Sequence, residues 1–308
     1  MSLEEDTALA AVKAATLIES LPWLKRFSGK IVVVKFGGNA MVDDSLKRAF
    51  AEDMAYLRYA GLFPVVVHGG GPQISAALKE HGIQSEFRGG YRVTSTEAIA
   101  VVRRVLADEV NREIVDLIDV HAAVPGENLA VGVFGDGTAL FSGQRKGIVL
   151  DGEAVDLGHV GEITAVEAST VLAVIAQGRI PVVSSIAANS DDEGAALNVN
   201  ADAAAGALAI ALQAAKLMVL TDVPGLYRNW PDRDSLVEKI SVSELVELLP
   251  SLESGMIPKM TACLDAVVGG VGGATIIDGR VPHAILLEVF TQRGAGTEVI
   301  PDTRRSTS

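Results

Sequence analysis

The chain has 308 residues, 49% apolar and 21% charged, which is enough for a sizeable core and argues against intrinsic disorder. Lys plus Arg number 26 against 39 Asp plus Glu, a formal net charge of −13, which speaks against nucleic acid or an anionic membrane as main partner but not against a nucleotide, since a few clustered cations can hold phosphate. The single cysteine, Cys263, excludes a disulfide framework or a cysteine zinc site within one chain and fits a reducing cytoplasm, MSLEEDTALAAV lacks the basic start of a secretory signal, and no apolar run approaches the roughly 18 residues of a membrane span.

Residues 5–25 read as an amphipathic helix with Leu9, Val12, Leu17, Ile18 and Leu21 on one broad side. It either folds back onto the domain or packs against another subunit. Strands and helices then alternate. IVVVK (31–35) is a continuous apolar run, as expected of a strand buried on both faces. Asp43 or Asp44 caps a helix running to Tyr59, and PVVVH (64–68) is a second buried strand. Pro72 suits the first position of the next helix and Gly82 its stop.

Residues 95–120 form one long helix; 129–134 are a strand, followed by the turn Gly135-Asp136-Gly137. Val155 to Glu162 is a short strand or hairpin. Val166 to Gln177 is helical, 180–185 a strand, Ala201 to Ala214 a helix and 216–221 a strand. Helices at 242–249 and 259–268 and a strand at 274–278 follow. This alternation predicts an α/β fold with a mainly parallel sheet sandwiched by helices, with ligands at the carboxyl ends of strands. The loop NSDDEG is a candidate division between two halves, near 186–195.

No GxxxxGK[ST] occurs, no GxGxxG follows a strand, and there is no HExxH, so a P-loop, a dinucleotide dehydrogenase and a zincin are unsupported. His68, His81, His121, His159 and His283 are scattered, and none is assigned to a metal. The first strand instead ends in Lys35-Phe36-Gly37-Gly38-Asn39, and the second in His68-Gly69-Gly70-Gly71-Pro72 before a helix. Such glycines either make tight turns or leave backbone N–H groups open to an anion at a helix N-terminus. Lys35, closing a buried strand, would lose solvation unless an anion balances it. Asn198-Val199-Asn200-Ala201-Asp202 opens the alanine-rich helix, where Asn capping with Asp in the first turn is the simpler reading. In Ser254-Gly255-Met256-Ile257-Pro258-Lys259 the proline suits the first helical position. Lys259 falls in the first turn, where the helix dipole disfavours a cation unless it shares a phosphate; a solvated surface lysine is the alternative.

Taken in order, KFGG, HGGGPQI, GGYRVT, LNVNAD, LTDVPGLY and GMIPK resemble the motifs of the amino-acid kinase superfamily, over residues 30–300, and GGYRVT with LNVNAD resembles its acetylglutamate kinase branch. The resemblance implies transfer of phosphate from ATP, with Mg²⁺, to the side-chain carboxylate of N-acetyl-L-glutamate, the second step of arginine biosynthesis. It implies catalytic Lys35 and Lys259 oriented by Asp202, and acceptor contacts from Gly70, Gly71, Arg92 and Asn198. Phosphate and ATP contacts fall to Gly37, Gly38, Asn200, Thr221, Asp222 and Tyr227. The implied layout is an oligomerisation helix (1–28), an acceptor-binding and dimerising lobe (29–190) and an ATP lobe (191–308).

A second layer of likeness, to arginine-inhibited members, implies an L-arginine effector site at Trp23, His283, Glu288 and Gly294 and a homo-oligomer, a hexamer built as a trimer of dimers, in the cytoplasm. Trp23 stands where such members often have Tyr, so a hydroxyl contact is lost. Rival readings are a superfamily kinase for another carboxylate or carbamate, and a non-catalytic amino-acid sensor. The sequence leaves open whether a PII-type protein binds.

Overall fold

The computed structural model describes residues 3–137, 140–150 and 152–302. Eight strands build one sheet: β1 (Ile31–Phe36), β2 (Phe63–His68), β3 (Ala130–Val133), β4 (Ile180–Ser184), β5 (Lys216–Thr221), β6 (Lys239–Ser241), β7 (Ala274–Asp278) and β8 (Gly296–Ile300). Their spatial order is β6-β8-β7-β5-β1-β2-β4-β3, and every neighbouring pair is parallel except β7 with β8. The mainly parallel sheet expected from the alternation is therefore present.

The apolar runs carry this sheet because both of its faces are covered. Along β1, Val32, Val34 and Phe36 join one core with Phe50, Met54 and Leu57, while Val33 joins the other with Leu208, Val219 and Cys263. Asp43 is the cap of the helix Asp44–Tyr59, accepting from the N–H groups of Ser45 and Leu46. Gly82 follows the end of Gly71–Glu80 at φ +69°, as its stop role requires.

Several expectations shift. The 95–120 helix is continuous but not uniform: Thr96–Arg104, a π-helical stretch Val105–Val110, then Asn111–Asp119. The helix expected from Val166 begins at Ser169, because Val166 still belongs to the strand Glu153–Val166. That strand is far longer than the 155–162 piece read from the sequence. It pairs with Phe141–Leu150, a strand not foreseen, whose register slips at Ser142/Gly143 and Arg145/Gly147 and so scrambles its alternation. These two close a small barrel with Ile186–Asn189 and Ala196–Val199. The segment 186–195 thus supplies one arm and the turn of an antiparallel hairpin. Pro258 sits at the second position of Ile257–Val268 rather than the first.

The N-terminal helix runs Leu3–Phe27. Its last turns reach the body, where Phe27 is buried and Trp23 and Leu24 pack against the core. Upstream, Val12, Leu17 and Ile18 are 62%, 65% and 70% exposed. Folding back onto the domain therefore accounts for the end of this helix and not for its apolar side.

Candidate active site

Three helix N-termini and the ends of β1 and β2 converge on one cavity of about 530 Å³. Lys35 stands one residue before the end of β1, and the Gly70–Gly71 turn after β2 opens the helix Gly71–Glu80. Asn200 caps Ala201–Ala211, accepting from the N–H groups of Asp202 and Ala203, which fixes Asp202 in the first turn. Lys259 stands in the first turn of Ile257–Val268. The positive ends of all three helices therefore face the same space.

Asp202 lies between the two lysines. Lys259 donates to its Oδ2 at 3.1 Å, and Lys35 Nζ stands 2.9 Å from Oδ1 as an ion pair without directed hydrogen-bond geometry. Burial works against a charged carboxyl here, but the two ammonium groups outweigh it and hold Asp202 below the usual carboxylate range. Lys35 folds back so closely over Gly37 that a side chain there would meet its Nζ at 2.5 Å.

Arg92 faces the same cavity and is buried at 7% exposure. It donates to the hydroxyls of Ser85 and Ser75 and to the Gly71 carbonyl, and its guanidinium lies 4.6 Å from the Phe87 ring centre. Its described partners include no carboxylate, and burial pulls its pKa below the ordinary value. Three cations thus meet one carboxylate, an excess of positive charge that calls for an anionic ligand.

The cavity brings together Lys35, Gly37, Gly38, Gly70, Gly71, Arg92, Asn198, Asn200, Asp202 and Lys259, all singled out from the sequence. Asn200 has its side-chain oxygen occupied as a cap, so the capping role read from the sequence is present. Thr221 and Asp222 are not among the lining residues: Thr221 ends β5, and Asp222 accepts from the Asn39 N–H at 2.9 Å. Tyr227 lines a separate cavity of about 480 Å³ with Leu226, Trp230, Leu252 and Met256. Sequence reasoning missed Ser75, Ser85 and Phe87, which hold Arg92. Ser75 was findable, one helical turn beyond Gly71.

At the opposite end of β5, Trp23, Glu288 and Gly294 border a narrow space of about 40 Å³ with Lys216 and Glu298. Lys216 Nζ pairs with Glu288 at 2.7 Å and with Glu298 at 2.8 Å. Glu288 also accepts from Thr275 and from the Ala295 N–H. His283 does not join this group. It begins the helix Ala284–Phe290 and bonds buried Asp53 at 2.6 Å. Lys216, opening a buried strand, carries the signal that marked Lys35 and was overlooked.

Among the described residues no group of three or more His, Cys, Asp or Glu is placed to hold a metal ion, and no helix is long and apolar enough to cross a membrane. The family model for the amino acid kinase family matches residues 30–278. An acetylglutamate kinase of Leifsonia xyli subsp. xyli is 65% identical over 296 residues, covering 96% of each chain. An acetylglutamate kinase of Salinispora tropica is 57% identical over 98% of this chain and 100% of that one. Among solved structures, N-acetylglutamate synthase from Neisseria gonorrhoeae complexed with coenzyme A and N-acetyl-glutamate superposes with a TM-score of 0.80 at 23% identity, over 94% of this chain and 64% of that longer one. Carbamate kinase from Giardia lamblia bound to AMP-PNP superposes with a TM-score of 0.63 at 20% identity, over 89% of this chain and 99% of that one.

Proposed function

Since the chain belongs to the amino acid kinase family, and within it to the acetylglutamate kinases, we infer that the cleft around Asp202 transfers the γ-phosphoryl group of ATP to the side-chain carboxylate of N-acetyl-L-glutamate. The observation that carries this reading is the charge pattern of one cavity: two lysines sharing Asp202, and a buried arginine whose described partners include no carboxylate. The reaction belongs to arginine biosynthesis.

The acceptor carboxylate is ionised near neutral pH and needs no general base. One of its oxygens forms the new bond to the γ-phosphorus while the bond to the β-phosphate oxygen breaks, and ADP leaves. The obstacle is bringing an anion to a polyanion, so catalysis is positioning and charge neutralisation. Lys35 and Lys259 lie where they would neutralise the transferring group, with Asp202 setting their spacing. Gly37, Gly38 and Gly70 would offer backbone N–H groups to it. Arg92 would pair the α-carboxylate of the acceptor, and Gly71 and Asn198 would border it. The acceptor then occupies the lobe of residues 29–190 and the nucleotide that of 191–308, with its base toward Tyr227. The donor set of the cleft is cationic and suits phosphates better than a metal ion, so Mg²⁺ would enter on the nucleotide with phosphate and water ligands. It would supply further neutralisation of the phosphates.

The test is ADP formation from MgATP with N-acetyl-L-glutamate beside glutamate, aspartate, carbamate and UMP. Turnover with N-acetyl-L-glutamate alone is expected. Turnover with another acceptor would discard the pocket assignment, and none with any would favour a sensor.

Regulation by L-arginine belongs to the same reading. Its support is the gathering of Trp23, Glu288 and Gly294 where the N-terminal helix meets Ala284–Phe290. Free arginine would have to displace or share Lys216 at Glu288. The exposed Val12, Leu17 and Ile18 support a further contact of that helix with another copy of the chain, as in a hexamer. Arginine titration of turnover and light scattering test these two points; full activity under excess arginine, or a monomer, would remove them.

A further inference from the structure

Resting on that catalytic reading, we propose that His68 and Asn111 are a positioning pair that aims the Gly70 N–H at the transferring phosphoryl group. His68, the last residue of β2, is fully buried, and so is Asn111 where the π-helical stretch ends. Neither touches the cleft directly, and the mechanism above uses neither.

The protonation pattern follows from the geometry. Asn111 Nδ2 lies 2.8 Å from the Val182 carbonyl, which only accepts, so this end of the amide is the NH₂ group. The same nitrogen lies 3.0 Å from His68 Nε2, which must therefore accept its second hydrogen. Burial pushes the imidazole pKa down to about 4, so the ring is neutral near pH 7 and its one proton sits on Nδ1. Nδ1 is 3.0 Å from the Gly69 carbonyl and donates to it. Gly132 makes room for this chain on β3: a side chain there would meet Asn111 Oδ1 at 2.3 Å.

The consequence falls on the next peptide. Across a planar trans peptide the N–H points opposite to the C=O. With the Gly69 carbonyl pinned on the His68 side, the Gly70 N–H is turned the other way. Gly69 and Gly70 line the cleft beside Lys35 and Lys259, and the Gly70 N–H has no described acceptor of its own. The pair thus holds a donor in place before the phosphoryl group arrives, as electrostatic preorganisation requires.

Three substitutions separate aiming from mere packing. His68→Asn keeps an N–H donor near the place of Nδ1, His68→Gln puts its amide near the place of Nε2, and His68→Leu supplies neither. Turnover of His68→Asn should stay within about fivefold of the unsubstituted chain, while the Gln and Leu variants fall roughly 30-fold, short of the 10²–10³ for deleting such a donor outright. KM for MgATP and for N-acetyl-L-glutamate should move less than about threefold, since the donor acts on the transition state. Equal turnover in all three, or a loss confined to KM, overturns the proposal. If the variants do not fold, ¹⁵N NMR of the unsubstituted chain decides: the His68 ring must carry its proton on Nδ1, and a proton on Nε2 ends the argument. Absence of turnover in the unsubstituted chain would sink the catalytic reading instead, a result the tautomer measurement keeps separate.

Discussion

Lys35 and Lys216 sit on adjacent parallel strands, one near the end of β1 and the other at the start of β5, so they occupy opposite ends of the sheet. Both are buried, and both are held by carboxylates, but the ratios differ. In the cleft two lysines share Asp202; at the far end Lys216 serves both Glu288 and Glu298, and Glu298 also pairs with Lys239 at 3.4 Å. Asp202 and Glu298 each lose solvation, and each is still held below its ordinary pKa by its lysines. A further carboxyl, buried Asp53, has no lysine among its described partners. Burial pushes it up to about 6, opposed only by its bond with His283. The comparison teaches that the number of cations around a buried carboxylate, more than burial itself, decides what the site can do. The cleft has positive charge to spare for a ligand, the far end has its charges paired within the protein, and Asp53 is open to protonation.

Asp202→Asn should break this comparison most severely, because it leaves two ammonium groups together with no carboxylate between them. Stability is expected to fall by about 3 kcal/mol and turnover by roughly 10³-fold. Melting curves with steady-state rates check it, and a stable, active variant would remove Asp202 from its organising role. Lys216→Met makes the complementary break, leaving buried Glu288 without its lysine and Glu298 with Lys239 alone, at 3.4 Å. A loss of about 3 kcal/mol is expected by urea titration. In the unsubstituted chain Glu298 has a depressed folded pKa, so its contribution is present above the unfolded carboxyl pKa and is lost as pH falls through the folded one. Lys216→Met should flatten that part of the acid limb.

Arg92→Ala removes the cleft's unmatched cation while leaving the Lys–Asp–Lys group intact. KM for N-acetyl-L-glutamate should rise some tens of fold, about 2 kcal/mol, with a smaller change in kcat. Unchanged KM would place the acceptor elsewhere. Asp53→Asn is the mildest. A raised folded pKa on an acid means that stability is full below the unfolded pKa and declines as pH rises toward and through about 6. The variant should therefore gain relative to the unsubstituted chain between pH 4 and pH 7, by about 1–2 kcal/mol. Parallel melts across that range check the sign, and a constant difference would mean that His283 fully compensates Asp53.

What was visible in the residues, and why, differs between the parts of the molecule. β1, β2, β4, β5 and β7 were readable as apolar runs because a strand covered on both faces must be apolar throughout. Of the barrel strands only the 155–162 piece was readable, because Phe141–Leu150 and Glu153–Val166 mix glycine with charged residues and slip register. The π-helical stretch beside Gly70 left no mark in the apolar spacing. In the cleft, Lys35 and Lys259 stood out as residues whose type was wrong for a plain strand end or helix start, whereas Asp202 read as an ordinary first-turn acid beside its Asn200 cap. His68 did not stand out, since a lone histidine ending a buried strand reads as core.

Local chemistry alone determined which apolar runs are strands of the main sheet, that an aspartate at 43 or 44 and Asn200 cap their helices, and that Lys35 calls for an anion, because each depends on neighbours a few residues away. Chain packing decided the rest. Only the side-by-side placement of β1 and β5 and the convergence of three helix starts put Lys35, Asp202 and Lys259 on one another. Only that packing left Arg92 without a carboxylate, gave Lys216 two, and set His283 on Asp53 rather than beside Glu288. Charge balance is a property of a volume, and the members of each volume come from distant parts of the chain.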